Sequence, residues 1–420
     1  MTYISYIDPG TGSMLFSLFI GIAAALSFGL RAAFLKLKFI FSGGKATADE
    51  TANTIPYVIY SDHKRYWNVF RPICDEFEQR QIPLVYYTSS EDDPALSADY
   101  QYIKAEFIGE GNKAFAKLNF LKADILLSTT PGLDVYQWKR SPDVKCYVHI
   151  PHTVDDLSGY RMFGLDYYDA VACSGDNQIR WIKKVESMRN IKSKDLTVCG
   201  STYLDTMKNR KQSIKNTAKN EKPIILVAPS WGKSGILSKF GVSFIRAVLD
   251  TGYEVIIRPH PQTVVSEKSM LDELISAFAD NQRLSWNYDN DNFEVLNRSD
   301  LLITDFSGII FDYTMIFDKP LIYADTSFDT LPYDADWSDE QMWSLQMLPK
   351  LGFQLSESDF CNMKNRIDEA LASSDLQAGR DEVRSDCWAN IGNGAKNTVD
   401  YLITKRESLL SDKQNQKQGE

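Results

Sequence analysis

The apolar positions of this chain follow three patterns along its length. Met14–Leu30 is an unbroken run without a charged residue. From Thr54 onward, short apolar runs typical of buried strands alternate with longer stretches of helical periodicity. The lysine-rich and almost wholly polar stretch Lys208–Lys222 interrupts this alternation. The pattern predicts an N-terminal apolar segment followed by two α/β domains.

The strands and helices are predicted from these runs. The predicted strands are Ile55–Tyr60, Leu84–Tyr87, Ile125–Leu127, Lys145–Ile150, Ala170–Cys173 and Leu196–Cys199 in the first half, and Ile224–Ala228, Glu254–Arg258, Leu301–Thr304 and Leu321–Tyr323 in the second. The clearest predicted helices lie near Trp67–Gln79, Gln178–Met188, Val242–Leu249, Glu267–Phe278, Ile309–Phe317 and Asp359–Ala372. We expect two doubly wound Rossmann-like domains that face each other across a cleft, with ligands bound at the carboxyl ends of the strands.

Met14–Leu30 is long enough to cross a membrane, since seventeen helical residues rise roughly 26 Å. A secretory signal peptide is the rival interpretation, but Asp8 and Pro9 precede the run and no Lys or Arg does. A buried helix of a soluble core is a further alternative. Positive charges follow the run, at Arg31, Lys36, Lys38 and Lys45. By the positive-inside rule, we expect one span with the rest of the chain in the cytoplasm, at a plasma membrane or a cell inner membrane.

The segment boundaries follow from these signals. We expect a membrane anchor at residues 1–45, α/β domains at 46–215 and 216–405, and a disordered tail at 406–420. The net charge of −10 argues against nucleic acid as a partner, so a phosphorylated ligand must be held by local donors. The six cysteines show no metal-binding or disulfide spacing, and we expect neither a metal nor a cofactor.

Four strand ends carry the candidate chemistry. Arg258 and His260 stand in a stiff Arg-Pro-His-Pro turn and suit a phosphate oxygen. Thr304, Ser307 and Gly308 precede a predicted helix, whose N-terminus suits a diphosphate; Asp305 is equally a simple helix cap.

His149 and His152 end another strand, where a histidine suits proton removal from a hydroxyl. With Asp155 and Asp156 they also leave a weak metal interpretation open. Ser230, in an Ala-Pro-Ser-Trp turn, is either a ligand contact or part of a tight turn.

Taken in order, these motifs resemble those of the CDP-glycerol glycerophosphotransferase family. The quoted stretches are Ala228-Pro229-Ser230-Trp231, Arg258-Pro259-His260-Pro261, Asp300 to Ser307 (Asp-Leu-Leu-Ile-Thr-Asp-Phe-Ser), Phe311-Asp312 and Lys319-Pro320. The resemblance spans roughly residues 145–325. It implies a GT-B-like fold and metal-independent transfer of glycerol phosphate from CDP-glycerol to a lipid-linked or polymeric acceptor, with release of CMP.

The resemblance also assigns roles by position. His152 is similar to the family's His-Gly histidine and is the candidate general base, and His260 is the second candidate catalytic residue. Arg258, Thr304, Ser307, Gly308, Asp312, Ser230 and His149 are the candidate substrate contacts. The domain of residues 46–215 is then the acceptor side and that of 216–405 the donor side.

The chain departs from the family's pattern at three places. Thr153 replaces the Gly after the histidine, Gly308 replaces a second Ser, and Asp155-Asp156 replace a basic residue. These departures leave the acceptor and the transferred group open. A GT-B glycosyltransferase that uses a nucleotide sugar for capsule or exopolysaccharide synthesis is the alternative enzyme. A catalytically silent nucleotide-binding protein is the alternative from another class.

Overall fold

The computed structural model describes residues 54–214 and 220–418. Within them the chain forms two all-parallel sheets. The first contains β1 (Ile55–Ser61), β2 (Leu84–Thr88), β3 (Ile103–Phe107), β4 (Ala123–Ser128), β5 (Val144–His149), β6 (Ala170–Cys173) and β7 (Asp195–Val198). The second contains β8 (Ile224–Val227), β9 (Glu254–Ile257), β10 (Leu284–Trp286), β11 (Leu301–Thr304), β12 (Leu321–Ala324) and β13 (Phe353–Leu355). The predicted α/β class with two parallel sheets is confirmed.

Helices connect the strands and cover the sheets. They are α1 (Trp67–Gln79), α2 (Asn112–Leu118), α3 (Asp176–Arg189), α4 (Thr202–Ser213), α5 (Ile236–Asp250), α6 (Pro261–Ser266), α7 (Lys268–Ala277), α8 (Phe293–Arg298), α9 (Ile309–Asp312), α10 (Trp343–Leu351), α11 (Met363–Ala372), α12 (Gln377–Cys387) and α13 (Gly394–Gln418). A short 3-10 helix, Lys64–Tyr66, precedes α1, and a π-helical turn, Tyr313–Phe317, continues α9.

The order of the strands decides where a ligand can approach. The orders are β3-β2-β1-β4-β5-β6-β7 and β10-β9-β8-β11-β12-β13. In each sheet the winding reverses at the first strand, so that β1 lies between β2 and β4, and β8 lies between β9 and β11. Such a switch point leaves a crevice at the carboxyl ends of the strands. The turns after β1, β4, β8 and β11 therefore border the crevices of the two sheets.

The central strands are buried on both faces, which explains their continuous apolar sequences. Every residue of β4 and of β11 is buried. The strands that were not predicted, β3, β10 and β13, all lie at sheet edges. β3 reads Ile-Lys-Ala-Glu-Phe with none of its residues fully buried, and the other two are only three residues long. Edge strands carry too little apolar signal to be recognised in this way.

The sequence predicts a disordered tail at residues 406–420, and in the structure α13 continues through Gln418. The helix is held at its start, where Val399 and Leu402 are buried in the core of the first sheet. Arg406 adds an ion pair with Asp124 at 2.8 Å. The chain therefore returns to its first half after completing the second.

The proposed span, Met14–Leu30, lies outside the described residues. Over residues 54–214 and 220–418, the apolar helices are all too short or too polar to cross a bilayer.

The loop after β5 and the loop after β12 join the two halves. Asp334 and Ala335 donate backbone hydrogen bonds to the carbonyls of Tyr160 and Ser158, at 2.8 and 2.9 Å. Arg189 pairs with Asp166 at 2.7 Å and also with Asp334. Because Arg189 is itself buried, these carboxylates hold it in a charge-paired site between the halves.

Candidate active site

His152 lies on the turn that follows β5. Its Nδ1 is 3.2 Å from the hydroxyl of Thr129, the residue after β4. The ring of Tyr66 packs against it at 4.9 Å, and that of Tyr160 is stacked at 6.3 Å. Burial, and then the positive charge of Arg65, lower the pKa of His152 to about 4. His152 is therefore neutral at pH 7, with Nε2 as the ring nitrogen that remains for a substrate.

His149, predicted as a substrate contact, lies behind His152 in the core. It is fully buried, and its Nε2 is 3.1 Å from the Tyr160 hydroxyl. Its ring also packs edge-on against Tyr168. The prediction is corrected here: as the last residue of β5, His149 points into the sheet's covering layer and supports the residues around His152.

The acidic residues that follow His152 accept hydrogen bonds from other groups of the protein. Asp155 accepts from the Thr153 hydroxyl and from the Leu157 backbone N–H, both at 3.0 Å. Asp156 accepts from the Ser158 hydroxyl at 2.8 Å and from the Trp343 N–H at 3.2 Å. Nowhere in the described part of the chain do three or more His, Cys, Asp or Glu side chains come together as a metal site.

His260 lies on the turn that follows β9 in the second half. It is the cap of α6, where its Nδ1 accepts the backbone N–H of Gln262 at 3.1 Å. Since Nδ1 is an acceptor, the hydrogen of the neutral ring is on Nε2. Burial, and then the charge of Arg65, lower the pKa of His260 to about 4. His260 is thus a fixed neutral hydrogen-bond donor at pH 7.

Arg258 reaches the loop after β10. Its guanidinium donates to the Asn287 side chain and, at 2.8 Å, to the Asp289 carbonyl. Part of the guanidinium's donor capacity is already used inside the protein.

The turn after β11 contains both buried anchors and accessible groups. Thr304 is fully buried and donates to the Ala228 carbonyl at 2.7 Å, so the structure gives its hydroxyl an internal role in place of the predicted ligand contact. Asp305 accepts from the N–H groups of Ser230 at 2.9 Å and Ile236 at 3.0 Å, and so fixes the turn after β8 and the start of α5. Ser307 is half-buried and Gly308 exposed.

Asp312 also differs from its predicted place. It accepts hydrogen bonds from the Tyr203 hydroxyl at 2.9 Å and the Asn292 amide at 3.0 Å. Burial raises the pKa of Asp312 to about 6. The carboxylate connects α9 to α4 and α8, so it holds helices together and is not turned to a ligand.

The two halves meet at Thr153 and Gly308. A Cβ atom placed on Gly308 would lie 3.8 Å from the Thr153 hydroxyl oxygen. These are two of the positions at which the chain departs from the family's pattern, and they face each other across the gap. Thr153 directly follows His152, so the Ser307–Gly308 turn of the second half lies near the turn that carries His152.

Sequence reasoning missed Arg65, Tyr66 and Thr129. They follow β1 and β4, the two strands at the switch point of the first sheet. The switch-point rule, applied to the predicted strand order, was the signal that could have found them. Arg65 carries the charge that acts on both histidines.

Comparisons with known proteins agree with this architecture. The family described as CDP-glycerol:poly(glycerophosphate) glycerophosphotransferase matches residues 167–338. No curated protein sequence matches the chain. Among solved structures, the wall teichoic acid polymerase TagF, in a variant soaked with CDPG, is similar with a TM-score of 0.54 and 15% identity, over 91% of this chain and 98% of that one.

Two other similar structures hold UDP or UDP-GlcNAc. MnaA of S. aureus with UDP has a TM-score of 0.53 and 13% identity, over 83% of this chain and 96% of that one. The UDP-GlcNAc 2-epimerase of Neisseria meningitidis has a TM-score of 0.52 and 12% identity, over 83% and 100%. At these identities the structures show the shared fold alone. The match over residues 167–338, which includes the turns of Ser230, Arg258, His260 and Ser307, confirms the predicted resemblance to the CDP-glycerol:poly(glycerophosphate) glycerophosphotransferase family.

Proposed function

We propose that the protein transfers glycerol phosphate, or a related polyol phosphate, from CDP-glycerol to a hydroxyl of a polymeric or lipid-linked acceptor, with release of CMP. The product is a teichoic-acid-like polymer of the cell envelope. The observation that carries this proposal is the family match over the turns of the second half, together with a second neutral histidine, His152, in the first half.

His152 supplies the base. For Nε2 to accept a proton, Nδ1 must carry the ring hydrogen and donate it to Thr129 Oγ1, which the 3.2 Å separation allows. As the acceptor hydroxyl oxygen bonds to the β-phosphorus of the donor, its proton passes to His152 Nε2. The bond from that phosphorus to the bridging oxygen breaks, and its electron pair leaves with CMP.

His260 supplies a fixed donor. Its Nε2–H is held in place by the Nδ1 cap on α6. A pre-oriented N–H of this kind stabilises charge on a phosphate oxygen as the bond breaks. A pKa of about 4 leaves little imidazolium at pH 7, so this role is hydrogen bonding and not proton transfer.

We also propose that residues 1–45 anchor the enzyme in the plasma membrane or cell inner membrane, with residues 54–418 on the cytoplasmic side. The support is the charge-free run Met14–Leu30 with Arg31, Lys36 and Lys38 after it. Carbonate extraction of membranes, with and without residues 1–45, is the test: extraction of the full chain at high pH contradicts the anchor.

The activity itself is tested with purified protein, membranes and donors. We expect CMP release and acid-stable incorporation of labelled glycerol from CDP-glycerol, and neither with the His152→Gln variant. UDP-sugars in parallel reactions test the nucleotide-sugar alternative. Release of UDP without any release of CMP would contradict the phosphotransferase assignment and favour sugar transfer.

A further inference from the structure

Arg65 is a cation that none of the sequence motifs includes, and it lies on the short helix Lys64–Tyr66 directly after β1. We propose that Arg65 binds the distal phosphate of a nucleotide diphosphate, the phosphate nearer the acceptor. This inference deepens the proposed function and rests on it for the identity of that phosphate as the one transferred.

The ring of Tyr66 connects Arg65 to His152. His63 Nδ1 accepts the Arg65 N–H at 3.1 Å and caps the short helix. The Arg65 guanidinium carbon is 5.8 Å from the centre of the Tyr66 ring, which in turn packs on His152 at 4.9 Å. The side chain is exposed, and among the described residues no carboxylate pairs with it. The neighbouring Lys64, by contrast, pairs with Asp92.

The positive charge of Arg65 acts on a histidine of each half. Arg65 is the only residue whose charge is seen to lower the pKa of both His152 and His260 among the described groups, second to burial in each case. Asp62 adjoins the turn as an opposing charge. Burial raises the pKa of Asp62, an effect that Arg65 and His63 partly oppose. Arg65 would therefore attract a negatively charged ligand that is bound between the two histidines.

A diphosphate at this position needs such a cation. The protein carries a net charge of −10, and both histidines are neutral at pH 7. Arg258 already donates to Asn287 and to the Asp289 carbonyl. An arginine with its donors unused forms charge-assisted, often bidentate, hydrogen bonds with phosphate.

The side of the cleft suggests which phosphate is bound. Ser307 and Gly308 belong to the second half and lie within the residues that the family model matches, and we assign the phosphate nearer the nucleoside to their turn. Arg65 and His152 belong to the first half, where the acceptor hydroxyl loses its proton. The phosphate between the two sets is the distal one.

The test compares CDP with CMP, which differ by that phosphate. Calorimetric dissociation constants are measured for the full-length wild type, R65Q and R65K, with R71Q as control. Arg71 is an exposed arginine on the next helix, 3.7 Å from Asp75. We expect the wild type to bind CDP more tightly than CMP and R65Q to lose about tenfold or more of CDP affinity at unchanged CMP affinity, the usual size for a charged hydrogen bond.

The controls separate binding from folding. R71Q is expected to match the wild type, and R65K to keep part of the preference, because lysine is a point charge without the planar fork. In R65Q, loss of the positive charge also raises the pKa of His152, so the acid limb of kcat/KM moves to higher pH. A purely structural role would not move that limb.

Three results overturn the inference: a wild type that does not prefer CDP, an R65Q variant that keeps the preference within about twofold, or equal losses of CDP and CMP affinity. A different result would reject the proposed transfer reaction while leaving the Arg65 phosphate site in place. A CDP preference that disappears in R65Q, in a protein that releases no CMP from CDP-glycerol, supports the phosphate site and rejects the transfer reaction.

Discussion

The turns after β5 and β9 place a histidine in each half, and the two histidines differ in what holds the ring. Both have a pKa lowered to about 4, chiefly by burial, and both are neutral at pH 7. His260 Nδ1 accepts a backbone N–H, which cannot change its direction. His152 Nδ1 faces the Thr129 hydroxyl, which can donate or accept. The partner of Nδ1 therefore decides the role of Nε2.

This difference separates a proton acceptor from a fixed donor. A backbone amide forces His260 to keep its hydrogen on Nε2. A hydroxyl allows His152 to keep its hydrogen on Nδ1 and to leave Nε2 free for the acceptor's proton. Burial is the largest cause of the lowered pKa at both rings and the charge of Arg65 is the second, while Glu267 opposes them at His260 alone. The direction of the Nδ1 hydrogen bond is the difference that the variants below test.

The largest effect is expected from His152→Gln. Glutamine keeps much of the side-chain volume between Tyr66 and Tyr160 but has no group that takes up a proton near neutral pH. Because general-base catalysis contributes about 10²–10⁴-fold, we expect kcat to fall about a thousandfold. CMP release under saturating CDP-glycerol measures it. A variant that retains more than about a tenth of the activity would exclude His152 as the base.

A smaller effect is expected from His260→Asn. Asparagine is also a good helix cap, so the start of α6 is preserved while the Nε2–H donor is lost. Loss of one pre-oriented donor predicts a fall in kcat of about a hundredfold.

His260→Ala is the matched control for the cap, since it removes both functions. We expect it to be about 1 kcal/mol less stable to unfolding than His260→Asn, with similar kcat. If the asparagine variant is as active as the wild type, the role of His260 is the cap alone.

Thr129→Val tests the hydrogen bond that distinguishes the two rings. Valine has the shape of threonine without the hydroxyl, so the Nδ1–H tautomer of His152 loses its partner. We expect kcat to fall about tenfold, roughly the value of one neutral hydrogen bond, while Thr129→Ser stays near the wild type. Equal losses in both variants would point to packing as the cause.

The sequence located the turns of this site but not the direction of each side chain. His152, His260, Ser307 and Gly308 lie at strand ends, as predicted from the apolar runs before them. Thr304 was predicted in the same way and Asp312 from the family resemblance, yet they bond to Ala228 and Tyr203, which are 76 and 109 positions away. No local pattern contains such partners.

Arg65 and Thr129 are residues near His152 that the motifs of the sequence did not identify. Their turns follow strands that were predicted, β1 and β4. Their proximity to His152 depends on the order β1-β4-β5, which places three separate parts of the chain side by side. Strand order is a property of the folded sheet, so motifs along the chain do not show this proximity. Only a predicted strand order combined with the switch-point rule points to these turns.

The smallest expected effect is that of mild acid on the wild type. With a pKa of about 4, His152 and His260 both remain neutral at pH 5.5. We expect kcat/KM to change less than about twofold between pH 7 and pH 5.5, where a histidine of ordinary pKa would cost about eightfold. Below that range protonation of His152 removes the base, and activity falls as the pH approaches 4.

Variants of the titrating groups show which protonation causes the fall in activity toward pH 4. Burial, and then the charge of Asp156, raise the pKa of Asp155 to about 6, and burial raises the pKa of Asp312 to about 6. Asp155→Asn and Asp312→Asn are therefore needed to exclude these titrations from the profile. His260→Asn should keep the limb near pH 4, because His152 remains as the base. A limb that disappears in His260→Asn would transfer the proton-accepting role to His260, and the distinction drawn from the two Nδ1 partners would be reversed.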